Sequence, residues 1–180
     1  MRSPVNVTLS AAGSSPWIPL DWQQRPFNVA LMASLSYNAN LTYNVQFTPD
    51  NPHLTQYCVV TISGTTATVM FATAHGLNVG DSIMILNSGD AAINGTWNVA
   101  SVPSATTLTY TVGATTLTTS LPPCQAVLMR VFNHDTMQNL TTRADGNFAF
   151  PCWAARLNIG SGNYTAGSVT LSILQGHARG

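Results

Sequence analysis

The side chains in this sequence that could carry out acid–base or metal chemistry are few and scattered. There are four histidines and six acidic residues, and every acidic residue is an aspartate, because the sequence contains no glutamate. The histidines are His53, His75, His134 and His177. None follows a His-x-His spacing or the helical pairing with an acid that is typical of a metal site. We therefore expect no metal ligands and no cofactor in this protein.

Catalysis without a metal also lacks its usual sequence signals. His134 and Asp135 are the only adjacent histidine and carboxylate, and as neighbours in a turn they are expected to point in different directions. Asp81 and Asp90 are the best candidates for the two carboxylates of a glycosidase, but both lie beside glycines, where aspartate commonly forms turns. No Gly-x-Ser-x-Gly nucleophile motif is present. We predict that the protein has no catalytic residues and is not an enzyme.

Three cysteines, Cys58, Cys124 and Cys152, form an odd set without metal-ligand spacing. The chain begins without an apolar stretch of signal-peptide length, and no apolar run is long enough for a membrane helix. We therefore expect synthesis in a cytoplasm and no membrane partner. In a reducing compartment the cysteines are expected to be buried thiols.

The composition indicates which elements must position these residues. Only 7% of the residues are charged, every basic residue is an arginine, and the formal net charge is zero. Lysine and glutamate, which commonly cover exposed helix faces, are absent, so we expect an all-β chain. A neutral chain also lacks the basic surface that binding to nucleic acid requires, so no nucleic-acid partner is expected. Weak self-repulsion favours assembly with copies of the same chain or with other proteins.

Alternating apolar and polar residues, the pattern of half-buried strands, fill the middle of the chain. Residues 68–112 contain three such runs. Glycine-containing turn signals separate them at His75-Gly76-Leu77, Gly80-Asp81 and Asn94-Gly95. These runs predict a compact β module.

The same alternation continues on both sides of this module. The runs 27–35 and 41–47 are expected to pair as an antiparallel hairpin, because a short turn-rich connector joins them. Asp145-Gly146 is expected to form a tight turn between two further strands. The flanks are therefore predicted to be all-β as well.

Neither flank makes a convincing domain alone. We predict one antiparallel, jelly-roll-like β-sandwich formed by residues 1–57 and 124–180, because a sandwich of about eight strands needs both flanks. The small all-β module, residues 58–123, would be inserted into a loop of this sandwich. Cys58 and Cys124 would then flank the two crossings into the module, which makes them the candidate pair if a disulfide forms.

The turn and strand motifs of the middle region occur in a distinctive order. They are His75-Gly76-Leu77, Gly80-Asp81, Asn94-Gly95-Thr96-Trp97 and Thr106-Thr107-Leu108-Thr109-Tyr110. Together they resemble a small β module of tailed-bacteriophage virion proteins. The flanking blocks at 43–48, 132–137, 144–151 and 167–171 resemble a short family of phage structural proteins without the insertion. The resemblance implies a structural protein of the virion that is synthesised in the host cytoplasm.

This resemblance leaves three roles open. In the first, a capsid decoration or cement protein binds the major capsid protein and copies of itself, as a homotrimer, and stabilises the head shell. In the second, the protein belongs to the tail or neck, with tail or portal-proximal proteins as partners. In the third, it is a tail-tip module that binds a receptor or carbohydrate. We place decoration first, because a short β chain with one appended domain suits the coating of a shell.

Apolar side chains near the N-terminus are the candidate interface residues for the decoration role. They are Trp17, Ile18, Leu20, Trp22 and Phe27. The N-terminal arm, residues 1–19, is expected to contact the shell together with them. The carbohydrate-binding role would instead require exposed aromatic side chains on one face, and the candidates are Trp97, Tyr110 and Trp153, with Trp17.

Overall fold

A computed structural model describes residues 4–24, 26–51, 53–113 and 124–175 of the chain. These residues form antiparallel β-strands and no helix, so no helix in the described ranges could cross a membrane. The strands are β1 (Val5–Leu9), β2 (Gly13–Ser14), β3 (Ile18–Pro19), β4 (Val29–Leu35), β5 (Asn40–Thr48), β6 (Thr55–Ser63), β7 (Thr66–Phe71), β8 (Ser82–Leu86), β9 (Gly95–Asn98), β10 (Ser101–Ser104), β11 (Thr107–Thr111), β12 (Gln125–Met129), β13 (Phe132–Asn133), β14 (Ala144–Phe148), β15 (Ala154–Ala166) and β16 (Val169–Gln175). The prediction of an all-β, antiparallel protein is confirmed.

The strands divide into two compact units. The first consists of Met1–Pro49 with Phe132–Gly180, and the second, which interrupts it in sequence, is Asp50–Val131. The second unit thus begins at 50 and ends at 131, where the sequence predicted 58 and 123. The difference arises because β6 and β12 pair with each other and therefore belong whole to this unit.

The first unit is a sandwich of two antiparallel sheets. One sheet has the strand order β1-β16-β4-β14, and the other has the order β13-β5-β15-β2, with β3 also paired to β15. Alternate side chains of both sheets point inward and form one apolar core, which includes Leu31, Val45, Leu157, Ile159 and Leu171. Each such side chain contributes about 1.5–3 kcal/mol by its removal from water.

The predicted hairpin between runs 27–35 and 41–47 is wrong. β4 pairs with β14 and β16 in the four-stranded sheet, whereas β5 pairs with β13 and β15 in the other sheet. Each strand has one apolar face, and two sheets packed face to face bury both of these faces. Residues 36–39 therefore carry the chain from one sheet to the other.

Asp145 and Gly146 lie inside strand β14 and not in the predicted turn. A Cβ atom on Gly146 would lie 2.8 Å from the Sδ atom of Met137, closer than van der Waals contact allows. Met137 is fully buried in the core. Glycine is therefore needed at this position because β14 packs closely against Met137.

The second unit is a curled seven-stranded sheet with the order β10-β11-β7-β6-β12-β8-β9. Its inner side encloses a separate core that includes Val60, Val69, Ile83 and Leu108. The predicted turns separate its strands, and Gly76 and Gly80 have φ angles of +67° and +91° there, in the left-handed region that glycine tolerates.

Candidate contact surfaces

His75 is buried in the second unit and both of its ring nitrogens are used. Nδ1 accepts a hydrogen bond from the backbone N–H of Leu77 at 3.0 Å, and Nε2 lies 3.2 Å from the carbonyl oxygen of Ser104. Because Nδ1 accepts, the imidazole carries its proton on Nε2 and donates it to Ser104. His75 thus connects the turn after β7 to the end of β10 by hydrogen bonds.

His134 has the same arrangement in the first unit. Its Nδ1 accepts from the backbone N–H of Thr136 at 3.2 Å, and its Nε2 donates to the carbonyl oxygen of Asn147 at 3.1 Å. The ring packs against Phe148, whereas Asp135 is exposed. This buried histidine therefore fastens a turn to β14, and it does not face its neighbouring carboxylate.

The two aspartates considered for glycoside hydrolysis also bind backbone groups. The carboxylate of Asp81, which is buried, accepts from the N–H groups of Asn78 at 2.7 Å and Val131 at 2.8 Å. Asp90 Oδ1 accepts from the N–H of Ala92 at 2.8 Å. Both therefore hold turns, as their positions beside glycines predicted.

The remaining histidines are His53 and His177. His53 is exposed, and His177 lies outside the described residues. Within the described ranges no three His, Cys, Asp or Glu side chains lie close enough together to hold a metal ion.

Tyr110 and Trp97 close the curled sheet of the second unit. Their rings stack with centroids 5.2 Å apart, and Trp97 Nε1 donates to the carbonyl oxygen of Ile93 at 2.8 Å. Tyr110, a candidate exposed aromatic for carbohydrate binding, is instead fully buried, and this burial raises the pKa of its hydroxyl. Trp97 is half-buried. Tyr110 is therefore a core residue, and Trp97 packs against the same core with one face on Tyr110.

Trp17 covers a buried arginine in the first unit. The guanidinium carbon of Arg156 lies 4.4 Å from the centre of the Trp17 ring, and its Nε donates to Gln46 Oε1 at 2.8 Å. Arg156 is only 2% exposed, and burial lowers its pKa to about 10. One face of Trp17, a candidate interface residue, is therefore occupied within the chain.

The other candidate interface residues near the N-terminus belong to the packing of the first unit. Leu20 and Phe27 are core residues that are 7% and 8% exposed, so the prediction that they contact partners is corrected. Ile18 and Trp22 are half-buried against the same core, and Trp22 lies 4.7 Å from Trp153, ring centre to ring centre. The two prolines of this segment exclude a central strand position, and packing of Trp17 and Trp22 over the edge of the core was the alternative to an interface. The extended segment packs over the core.

The predicted N-terminal arm is likewise part of the sandwich. β1 pairs with β16 in one sheet, and β2 and β3 pair with β15 in the other. Gln175 fixes the segment that follows, because its amide accepts from the N–H of Asp21 and donates to the carbonyl oxygen of Asp21, both at 2.8 Å. The described part of this segment therefore does not extend as a free arm.

An exposed apolar patch lies on the outer face of the sheet in the second unit. We call Tyr57, Val59 and Met70 the sheet-face patch. Val59 lies directly opposite Met70 in the pairing of β6 with β7, and the three side chains are 70%, 42% and 43% exposed. The next positions in register on this face are the uncharged Thr61, Thr68, Thr107 and Thr109. Sequence reasoning missed this patch because apolar residues occupy both faces of β6, so alternation did not show which face is buried.

A shallow pocket in the second unit offers a further contact position. Its volume is about 300 Å³, and Leu54, Leu77 and Leu128 line it with the amide of Gln56. At its rim Arg130 binds Asp50, with Nη2 2.6 Å from Oδ1. The arginine side chain is half exposed, so this ion pair adds little to stability. The pocket is thus lined by both apolar and polar residues, since Asn51 and His75 also border it.

No model of a known protein family matches the chain, and no curated protein matches it. Among solved structures, the chain is similar to the phage phi92 endosialidase, with 19% sequence identity and a TM-score of 0.27. The aligned region covers 72% of this chain but only 14% of that one. The aligned region thus spans only a small part of that protein's length.

Proposed function

We propose that this protein is a structural component of a tailed-phage virion. The observation that carries the proposal is the sheet-face patch, an apolar area in a field of uncharged threonines on a chain with only 7% charged residues. Such a surface is suited to burial against another protein, since no charge has to be desolvated there. The motif resemblance to phage virion proteins supports the same reading. The role requires no catalysis.

Within the virion we propose the decoration or cement role. The sheet-face patch and the leucine-lined pocket contact the major capsid protein or neighbouring copies of this chain, as a homotrimer. Binding only to the assembled shell stabilises that shell by mass action. The interface thus lies on the second unit, because the N-terminal side chains first considered are occupied in packing.

A tail or neck role is the second candidate, since the same apolar patch would serve contacts around the tail axis. Carbohydrate binding has less support. Tyr110 is fully buried, Trp97 stacks on it, and Trp153 packs on Trp22. Each of these three rings is therefore at least partly covered by other side chains of the chain.

The copy number of this chain in purified particles tests the proposal. We expect quantitative mass spectrometry to give between one copy per major capsid protein and one copy per three. A few to about a dozen copies per particle would instead indicate a tail or neck protein. Absence from particles would overturn the virion role.

A further inference from the structure

Cys58 and Cys124 place two thiols side by side in the second unit. Their Sγ atoms are 3.6 Å apart, and the backbone N–H of Cys58 donates to the carbonyl oxygen of Cys124 at 3.1 Å. The adjacent pair Tyr57 and Gln125 is in register across β6 and β12, so the two cysteines are directly opposite each other. Both are buried and reduced in this structure.

We propose that Cys58 and Cys124 form a modification site, at which a small-molecule disulfide such as oxidised glutathione converts the two thiols into an intramolecular disulfide. Residues directly opposite on antiparallel strands have Cα atoms about 4.5–5.5 Å apart, within the range that a disulfide requires. The sulfur atoms must approach by about 1.5 Å to reach bonding distance, and rotation about the Cα–Cβ bonds of the two side chains brings them closer.

The exchange proceeds in two balanced steps. Cys58, which is 8% exposed against 2% for Cys124, loses its proton to solvent, and its thiolate attacks one sulfur of the oxidant. A mixed disulfide forms on Cys58, and the first small thiol leaves. Cys124 then loses its proton, and its thiolate attacks Cys58 Sγ and displaces the second small thiol. The protein gives up two electrons, and the oxidant becomes two thiols.

The bridge would join β6 to the residue that precedes β12. The cysteines are 66 positions apart, so the closed loop contains β7 to β11 entirely. A cross-link over so long a loop restricts the unfolded chain strongly and therefore stabilises the folded unit. Cys152 lies in the core of the first unit and is also a free thiol, which makes it the internal control.

The biological setting of the reaction rests on the proposed function. A virion component folds in the reducing cytoplasm of the host and meets an oxidising medium after lysis. The dithiol would then close after assembly, and the second unit would be reinforced in the free particle.

The test uses the purified full chain, refolded in a buffer of oxidised and reduced glutathione, quenched with acid, and alkylated in denaturant. We expect the mass of the protein to fall by about 2 Da and two alkylation sites to be lost, with a Cys58–Cys124 peptide found by mass spectrometry. The melting temperature should rise by several degrees and return on reduction. The Cys152→Ala variant should show the same mass loss and the same rise in melting temperature on oxidation. Cys58→Ser and Cys124→Ser should each abolish the bridge.

Three alkylatable thiols at equilibrium would overturn the proposal, as would a bridge to Cys152 or a stable glutathione adduct on Cys58. These results concern the purified chain and are independent of its role. Absence of the chain from particles would overturn the virion role while leaving the dithiol chemistry intact.

Discussion

His75 and His134 adopt the same hydrogen-bonding arrangement although they belong to different units. Each imidazole accepts at Nδ1 from the backbone N–H two positions later and donates from Nε2 to a carbonyl oxygen more than ten residues away. Each also packs against a phenylalanine, Phe71 and Phe148 respectively. Two residues that could have served as catalytic bases thus hold turns in place.

Replacing either histidine with alanine should lower the free energy of unfolding by about 1–3 kcal/mol, because a backbone N–H and a backbone carbonyl lose their hydrogen-bond partner and a buried ring is removed from beside a phenylalanine. Urea unfolding of His75→Ala and His134→Ala checks this. His53→Ala is the matched control, since His53 is exposed and its loss should cost less than about 0.5 kcal/mol. Equal stability of all three variants would contradict the fastening role.

Trp97→Ala should destabilise the protein by about 2–4 kcal/mol, because the stacked ring of Tyr110 would lose its cover and the carbonyl of Ile93 would keep only the longer hydrogen bond from the Tyr110 hydroxyl, at 3.4 Å. Trp97→Phe keeps a ring over Tyr110 and should cost only about 1 kcal/mol. Chemical denaturation distinguishes the two variants. If Trp97→Ala left stability unchanged and abolished binding to a glycan array, the ring would be a ligand platform and not a packing element.

The sequence was sufficient to predict strand content and the turn positions of the second unit. It did not predict which strands pair, because alternation identifies the two faces of a strand but not its neighbours. β4 and β5 were therefore joined wrongly as a hairpin. Arg156 lies between the core residues Ala155 and Leu157 and therefore on the other face of β15, yet it is buried because Trp17, distant in sequence, lies over it. Contacts between distant segments decide such positions, and local patterns do not contain them.

Arg156→Met should leave the free energy of unfolding within about 1 kcal/mol of the wild type or raise it. Methionine fills much of the same space without a charge, and burial disfavours the charge of Arg156, as its lowered pKa of about 10 indicates. Arg156→Ala should instead cost about 2–3 kcal/mol, since it leaves a cavity under Trp17. Equal losses for both variants in urea unfolding would show that the guanidinium contacts with Trp17 and Gln46 outweigh the cost of burial.

Cys152 should make the protein less stable in alkali. Burial raises its pKa from 9.0 to about 12. Below pH 9 the thiol is protonated in both the folded and the unfolded chain, so it adds no pH dependence. Between pH 9 and 12 only the unfolded chain ionises, and stability falls by about 1.4 kcal/mol per pH unit. Unfolding measured from pH 7 to 11 should show this extra fall in the wild type relative to Cys152→Ala. Parallel curves would contradict it.

Met70→Lys should weaken binding to the shell at least about tenfold without unfolding the protein. Met70 is 43% exposed, so a lysine at this position remains in water in the free chain, but it would have to be desolvated against the partner surface. Val79→Lys is the matched control, because Val79 is an exposed apolar residue of the same unit outside the sheet-face patch. Cosedimentation with particles that lack this protein measures the bound fraction, and urea unfolding verifies that both variants fold. If Met70→Lys bound as tightly as the wild type, the sheet-face patch would not be part of the interface. If both variants bound equally weakly, the loss would come from any added positive charge and not from the patch.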